Sequence, residues 1–487
     1  MISSVRKLGQ WFWTALLALA ILVAPAAGTA LAEGKAKHLI LFVNDGMQMA
    51  CEVAASRYLY GQDKALSWHA LPYQGYCATW DVTTYNNYAK KLGVEPYDPA
   101  KFDPQVGYDP SLGGAVPYPD GKPADDRYFL QQGKPFATDS ASSATALSTG
   151  HKTDDGRLAW PPAGQPAGKL TTIAEELSNK QKKAIGVVTT VPFNHATPAA
   201  FVAHNENRRN YAAIAHEILS QTKPEVVIGG GHPNWDKRSE YQVSPRMIEN
   251  ARAHYEVVER IAGEDGNQKL SDAANNPQVT KLFAIFGGEC GNFDHPHPSD
   301  SPGRPSVTRG NIENPDLATV STAALKVLSR DPDGFFLLVE QGDIDWANHG
   351  NNFRNMIGSV TDAERAVAAI IAWVDLPGDD IDWSNTLLIV TADHANSYLR
   401  LVNLLGPGQL PKQKYASCKD ECTMVFTCPN GEVTYGATTH TNELVTIYAK
   451  GAGSELFRQY EGKWWPGTRI VDNTQINAVM RAATGLQ

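Results

Sequence analysis

The sequence predicts an α/β protein: a three-layer α/β/α sandwich with a central, mostly parallel, doubly wound sheet and surface insertions. Three observations lead there. Short β-branched runs alternate with helical stretches. Those runs are apolar almost throughout, which suits strands covered on both faces. Polar side chains of metal-binding type follow directly after several of them, where open parallel sheets hold their ligands. With 487 residues, 42% hydrophobic and 20% charged, the chain can fill a large soluble core and has no disordered or collagen-like composition.

Taken in chain order, Arg6 and Lys7 precede the apolar run "WFWTALLALAILVAPAA", and "ALA" at 30–32 supplies the small residues a signal peptidase reads. A signal peptide over 1–32 with cleavage before Glu33 is expected, leaving one domain over 33–487. The apolar run is shorter than the ~20 residues a span needs, and no second stretch reaches that length, so no stable membrane insertion is expected after processing. Strands are expected over 38–45, 186–193, 225–231, 281–288, 334–341, 385–394 and 444–451. Between them, Thr172 and Glu175 form a capping box before "IAEEL", and Leu317, Val320, Ala324 and Leu328 share one face of another helix. Residues about 82–136 and about 396–438 interrupt the alternation and read as ordered insertions.

The formal charge is −9. It becomes −11 without residues 1–32, which hold Arg6 and Lys7 and no acidic residue. A surface this acidic does not suit nucleic acid as a specific partner, and an anionic ligand would need local positive charge, which bound cations can supply. An exported chain with six cysteines can form up to three disulfides, with no pairing selected by sequence. The cluster "CKDECTMVFTC" reads as a disulfide-stapled loop, because it lacks the paired C-x-x-C spacing of structural zinc sites.

The chemistry gathers at strand ends. Asp45 lies in "FVNDGM", Glu340, Asp343 and Asp345 in "VEQGDIDWANH", Asp393 and His394 in "VTADH", and His195 with Thr197 in "PFNHATP"; His440 in "TTHTNE" precedes the last expected strand. One such Asp is ordinary, since Asp caps helices and makes turns; this many at one edge is not. Converging carboxylates raise each other's pKa unless a cation joins them. Asp and His donors without thiolate suit zinc or a similar divalent metal, and a set of carboxylate and hydroxyl oxygens suits magnesium. The spacing Asp345-x-x-x-His349 puts both side chains on one side of a helical turn. In "TDSASSATALSTG", Ser140 follows Asp139 at the start of a run of small residues that should be helical, with no Gly-x-Ser-x-Gly elbow around it.

From "LFVNDGM" to "VDNTQINAVM" the chain resembles, motif by motif and in order, the alkaline phosphatase family. The resemblance implies an exported, metal-dependent phosphate monoester hydrolase, periplasmic or extracellular and homodimeric, that acts on small-molecule phosphate esters. It assigns Ser140 as the nucleophile that becomes phosphoserine. It implies a first Zn2+ on Asp345, His349 and His440, a second Zn2+ on Asp45, Asp393 and His394 in contact with Ser140, and Mg2+ on Glu340, Thr197 and again Asp45. Arg208 in "FVAHNENRRN" matches the arginine that grips two phosphate oxygens, a task suited to guanidinium geometry. His195 and Trp346 match members of the family bearing that pair near the third metal and the phosphate, where a histidine favours Zn2+ or Co2+ over Mg2+. Asn44, Gln48 and Asn442 depart from the commonest family pattern, and altered packing is expected there. Asp343 is expected beside the ligands rather than among them, and His204 as a hydrogen-bonded scaffold residue. Two other functions use comparable parts: a phosphodiesterase or sulfatase on the same scaffold, and a non-catalytic phosphate-binding module. Arg208 favours a terminal, doubly charged phosphate over the first, and an intact Ser140 argues against the second.

Overall fold

Strand β1 (His38–Asn44), HLILFVN, is buried at every position. A strand with helices on both faces gains from apolar side chains in either direction, so it shows no alternation. The computed structural model that contains it describes residues 36–107 and 137–486, apart from positions 167, 238–240, 242, 379, 404 and 421. The expected leader over 1–32 and the stretch 108–136 of the first expected insertion lie outside the described residues.

β1 lies within a ten-stranded sheet. The others are β2 (Tyr73–Ala78), β3 (Ala184–Pro192), β4 (Val226–Gly230), β5 (Glu256–Glu259), β6 (Leu282–Ile285), β7 (Phe335–Gln341), β8 (Thr386–Thr391), β9 (Val445–Gly451) and β10 (Ile470–Asp472). Their spatial order is β10-β2-β9-β8-β1-β7-β3-β4-β6-β5. Neighbours pair in parallel, except that β9 runs antiparallel to both β8 and β2. The seven expected strands correspond to β1, β3, β4, β6, β7, β8 and β9. β2, β5 and β10 were not foreseen: YQGYCA is half polar with a central glycine, EVVE is flanked by charge, and β10 has three residues. The run expected over 385–394 leaves the sheet after Thr391, and that early exit frees Asp393 and His394 for the site.

Helices α1 (Met49–Tyr60), α2 (Ser140–Thr149), α3 (Ile173–Gln181), α4 (Ala196–Val202), α5 (Leu317–Leu328), α6 (Asp343–His349), α7 (Phe353–Val374) and α8 (Asn473–Thr484) surround the sheet. Successive strand residues point to opposite faces. In β7, Phe336 stacks on Phe201 of α4 with ring centroids 5.6 Å apart, while Phe335 meets Trp373 of α7 at 6.3 Å. One strand thus anchors helices on both sides, which makes three layers. The Thr172/Glu175 capping box forms at the start of α3, and Leu317, Val320, Ala324 and Leu328 of α5 are all buried. Among the described residues, no helix is long and apolar enough to cross a membrane.

The first insertion folds as a helix, Val82–Leu92, followed by a turn, with Trp80, Tyr85, Tyr97 and Phe102 packed ring to ring. The second contains the hairpin Lys414–Asp420/Thr423–Thr427. Its staple differs from the expected closed loop: Cys422 bonds to Cys290, 132 residues away, so the disulfide ties the hairpin to the body. Among the described residues this is the one disulfide, with Cys51 and Cys77 buried as thiols.

Register sets up the site. Val43 of β1 lies level with Glu340 of β7 and Thr391 of β8, and Thr189 of β3 lies level with Glu340. The carboxyl ends of four adjacent strands therefore finish side by side. Antiparallel β9 starts at that same edge, which brings His440 to it from the other end of the sequence.

Candidate active site

Ser140 is the first residue of α2. Asp139 caps the helix by accepting from the Ser142 amide at 2.9 Å, and Gly150 closes the other end in the left-handed region. All ten residues of α2 are buried, which explains its small side chains, and their hydroxyls find partners in the neighbourhood. Ser143 Oγ donates to the Asp393 carbonyl at 2.6 Å, and Thr145 Oγ1 to the Arg157 carbonyl at 3.0 Å. The helix is thereby fixed with its N-terminal turn, and Ser140, against the loop after β8. Ser140 Oγ lies 3.1 Å from His394 Nε2.

Two triads converge there. In the first, His394 Nε2 is 3.4 Å from Asp45 Oδ1 and 3.2 Å from Asp393 Oδ2, all three side chains being fully buried. Asp393 Oδ1 accepts from the Gly46 amide at 3.1 Å, which orients the carboxylate. In the second, Asp345 Oδ2 is 3.3 Å from His349 Nε2, and Asp345 Oδ1 is 3.4 Å from His440 Nε2. The other ring nitrogens of these histidines donate to carbonyls: His349 Nδ1 to Thr438 at 2.9 Å and His440 Nδ1 to Thr138 at 2.8 Å. That turns each Nε2 toward Asp345. The triads adjoin, since the His394 and His440 rings stack with centroids 3.6 Å apart. Glu340 lies beside them with its Oε2 accepting from Thr189 Oγ1, and it faces Thr197 and Asp45.

The electrostatics would suit a bound cation. Burial, and then the charges of Asp393, Asp345 and Glu340, push Asp45 well above the usual carboxylate range. Burial pushes Glu340 up to about 7. Burial and the Asp345 charge push Asp393 up to about 6. Burial would raise Asp345 too, but His349 and His440 outweigh it and hold that carboxyl well below its ordinary value. Burial and the neighbouring His440 hold His394 well below 6.5, as a neutral imidazole. Both carboxylate oxygens of Asp45, Glu340 Oε1, Thr197 Oγ1 and Asp393 Oδ2 are buried without a hydrogen-bond partner in the protein. Buried oxygens in that condition are costly unless something binds them. Each triad offers three donor atoms within 4.8 Å of one another, and the Asp/His composition suits a divalent metal.

Arg208 sits across from these groups. Its Nη1 donates to Asp139 Oδ2 at 2.8 Å and its Nη2 to His195 Nε2 at 3.1 Å. Arginine only donates, so His195 accepts at Nε2 and carries its proton on Nδ1. The Arg208 guanidinium holds Asp139 below the usual carboxylate range against the effect of burial. The ring of His195 meets Trp346 edge-on at 5.9 Å. All twelve residues singled out from the sequence therefore reach one edge of the sheet: Asp45, Ser140, His195, Thr197, Arg208, Glu340, Asp345, Trp346, His349, Asp393, His394 and His440. Asp343 is turned to another partner, with its Oδ1 accepting from Asn292 Nδ2 at 2.6 Å.

Several residues of the site escaped the sequence reading. Asn396 Nδ2 donates to Asp345 Oδ1 at 2.6 Å, and the Asn396 amide donates to Gln48 Oε1 at 3.1 Å. Gln48, one of the departures from the family pattern, thus supports a residue that holds a triad carboxylate. Asn442, another, donates from Nδ2 to the Gly107 carbonyl at 3.0 Å. Tyr241 packs against His195 and Trp346 with centroids 6.0 and 6.2 Å away. Asp139 also forms a third acidic group with Asp81 and Asp155, to which Arg208 and Ser142 already donate. The adjacency of Asp139 to Ser140 was the one signal available in sequence.

Comparison with known proteins shows which family this fold and sequence belong to. A family model described as alkaline phosphatase matches residues 124–433. Alkaline phosphatase 3 of Bacillus subtilis is 32% identical over 263 residues, 53% of this chain and 49% of that protein, so the match spans about half that relative's length. Alkaline phosphatase of Escherichia coli is 29% identical over 397 residues, 73% of this chain and 76% of that protein. Among solved structures, the alkaline phosphatase of the Antarctic bacterium TAB5 superposes with a TM-score of 0.58 at 20% identity, covering 93% of this chain and 99% of that one. That of Thermus thermophilus superposes with a TM-score of 0.60 at 21% identity, covering 94% and 93%. These structures share the fold, the family model covers more than half of the chain, and the chain belongs to the alkaline phosphatase family.

Proposed function

We propose that the protein hydrolyses phosphate monoesters through a phosphoserine on Ser140, with divalent cations held by the two triads and by Glu340, Thr197 and Asp45. The observation that carries this reading is Ser140 Oγ at a helix N-terminus, 3.1 Å from His394 Nε2, beside buried carboxylate oxygens that lack protein partners. Family membership supports Zn2+ in the triads and Mg2+ at the third set, with Zn2+ or Co2+ as the alternative there because of His195. Bound divalent ions supply Lewis acidity: they favour the ionised form of a coordinated hydroxyl and neutralise charge on phosphoryl oxygens.

The chain's own residues do the rest. The free amides of the first turn of α2 attract a phosphoryl group. Arg208, steadied by Asp139, offers a planar fork to two of its oxygens. Ser140 Oγ attacks phosphorus in line, a Ser140–phosphorus bond forms, and the ester P–O bond breaks with release of the alcohol. Water then displaces Ser140 from phosphorus in a second in-line step, releasing phosphate. Two inversions give net retention.

The leader pattern over 1–32 supports export to the periplasm or the medium, and the family supports a homodimer. The test compares a nitrophenyl monoester with a bis-nitrophenyl diester, in the wild type and in Ser140→Ala, before and after chelation. Monoester turnover should dominate, should vanish on chelation, and should fall by roughly 10²-fold or more in the variant. A faster diester rate would favour the phosphodiesterase reading, and no turnover by metal-loaded protein would favour a phosphate-binding module.

A further inference from the structure

We propose that the hairpin Lys414–Thr427, tied down by the Cys290–Cys422 disulfide, is a brace that positions the Asp345/His349/His440 set, so that loosening it frees the cation of that set and spares the one at Asp45/Asp393/His394. The proposal rests on reading both sets as cation ligands.

α6 carries two of the three ligands of its set on seven residues, too few for a helix to hold itself. Both of its ends are held by segments that the disulfide joins. At the first end, Asn292, two residues from Cys290, donates from Nδ2 to Asp343 Oδ1 at 2.6 Å. The loop around it is closed by the Gly288 amide donating to the Asn292 carbonyl, also at 2.6 Å. At the other end, the Phe426 amide of the hairpin donates to the carbonyl of Gly350, directly after His349, at 2.9 Å. The two backbones are so close that a Cβ on Gly350 would sit 2.6 Å from the Met424 carbonyl oxygen. The hairpin makes a third contact through Lys419, whose Nζ donates to the Thr438 carbonyl at 2.6 Å. That carbonyl is the one that orients His349 through Nδ1.

The other set needs no such help. Asp393 is held by the Gly46 amide, and its carbonyl by Ser143 of α2. Its three side chains are fully buried, whereas the side chain of His349 is 29% exposed. The solvent-facing set is thus supported by elements far apart in the chain, and Cys422 and Cys290, 132 residues apart, couple them covalently.

The test measures zinc release from the full-length, zinc-loaded protein to a colorimetric chelator. It compares the wild type, the C290S/C422S double variant, Lys419→Met and Lys419→Arg. Release in two phases is expected from the wild type. The double variant should speed the faster phase by about 10-fold or more, the usual consequence of removing support from a metal ligand, and leave the slower phase unchanged. Lys419→Met should speed the same phase by less, and Lys419→Arg should release like the wild type. Reduction of the folded wild type by a trialkylphosphine, which binds zinc far more weakly than a dithiol, gives the same readout without a folding risk: the phosphine gives two electrons to the disulfide and takes oxygen from water to become the phosphine oxide, leaving Cys290 and Cys422 as thiols. If reduction leaves both phases unchanged, or speeds them equally, the brace is wrong. If the wild type holds no zinc at all, the reading of both sets as cation ligands fails first.

Discussion

His204 and His394 are both buried imidazoles, and their neighbours drive them in opposite directions. Burial, and then the facing His440 imidazole, keep His394 neutral. His204 lies 2.9 Å from Glu217 through Nδ1 and 3.4 Å from Glu175 through Nε2. Burial would lower it, but hydrogen bonds to those two carboxylates raise it to about 9. In the unfolded chain it titrates near 6.5. The pairing therefore stabilises the fold in full below about pH 6.5 and is lost as pH rises through about 9, a contribution on the order of 2 kcal/mol. Urea unfolding should show the stability gap between the wild type and His204→Gln closing over that interval; a constant gap would mean the imidazole is neutral throughout. This scaffold role was legible in the sequence because His204 alternates with apolar residues. So were the triad residues, because a polar side chain of ligand type directly after an apolar run is a local pattern. Asn292, Gln48 and Asn396 were not: their partners are 51 to 348 residues away, and a lone amide carries no pattern that names a distant partner.

At the scale of elements, the turn from β1 into α1 shows how tightly the site is built. Gly46 has φ +69, and a Cβ there would sit 2.6 Å from Asp345 Oδ1 and 2.7 Å from Asp345 Cα. Gly46→Ala should combine left-handed strain with displacement of a triad carboxylate, costing about 1–3 kcal/mol of stability, and should lower the metal content of the purified protein. Wild-type metal content in that variant would show that α6 can give way. Seven strands could be read from their composition, because a strand covered on both faces must be apolar. β2, β5 and β10 could not, since short or half-exposed strands take their identity from the neighbours they pair with. The reversed direction of β9 was equally hidden, yet it is what delivers His440 to an edge where the other strands end.

Across the whole molecule, the buried carboxylates of this edge oppose folding when no cation joins them. Asp45, Glu340 and Asp393 all have folded pKa values above their ordinary ones, with Glu340 at about 7 and Asp393 at about 6. The metal-free native state therefore holds protons that the unfolded chain releases near pH 4, and these three groups make its stability fall as pH rises from about 4 through 7. Cations bound to the native state would reverse that loss. Thermal unfolding of chelated protein should move to lower temperature between pH 5 and pH 8 while the loaded protein moves less; parallel curves would mean the carboxylates do not share one site. The three-layer architecture followed from the alternation of elements, while the strand order, set by contacts between segments hundreds of residues apart, did not.

In the proposed mechanism this edge of the sheet turns Ser140 into a nucleophile toward phosphorus. Acid quenching of metal-loaded protein during turnover of a monoester, followed by peptide mass spectrometry, tests it most directly. A phosphoryl group on Ser140 that is absent from Ser140→Ala and from chelated protein is the predicted result. Full turnover in the wild type with Ser140 never phosphorylated, or undiminished turnover in Ser140→Ala, would contradict it.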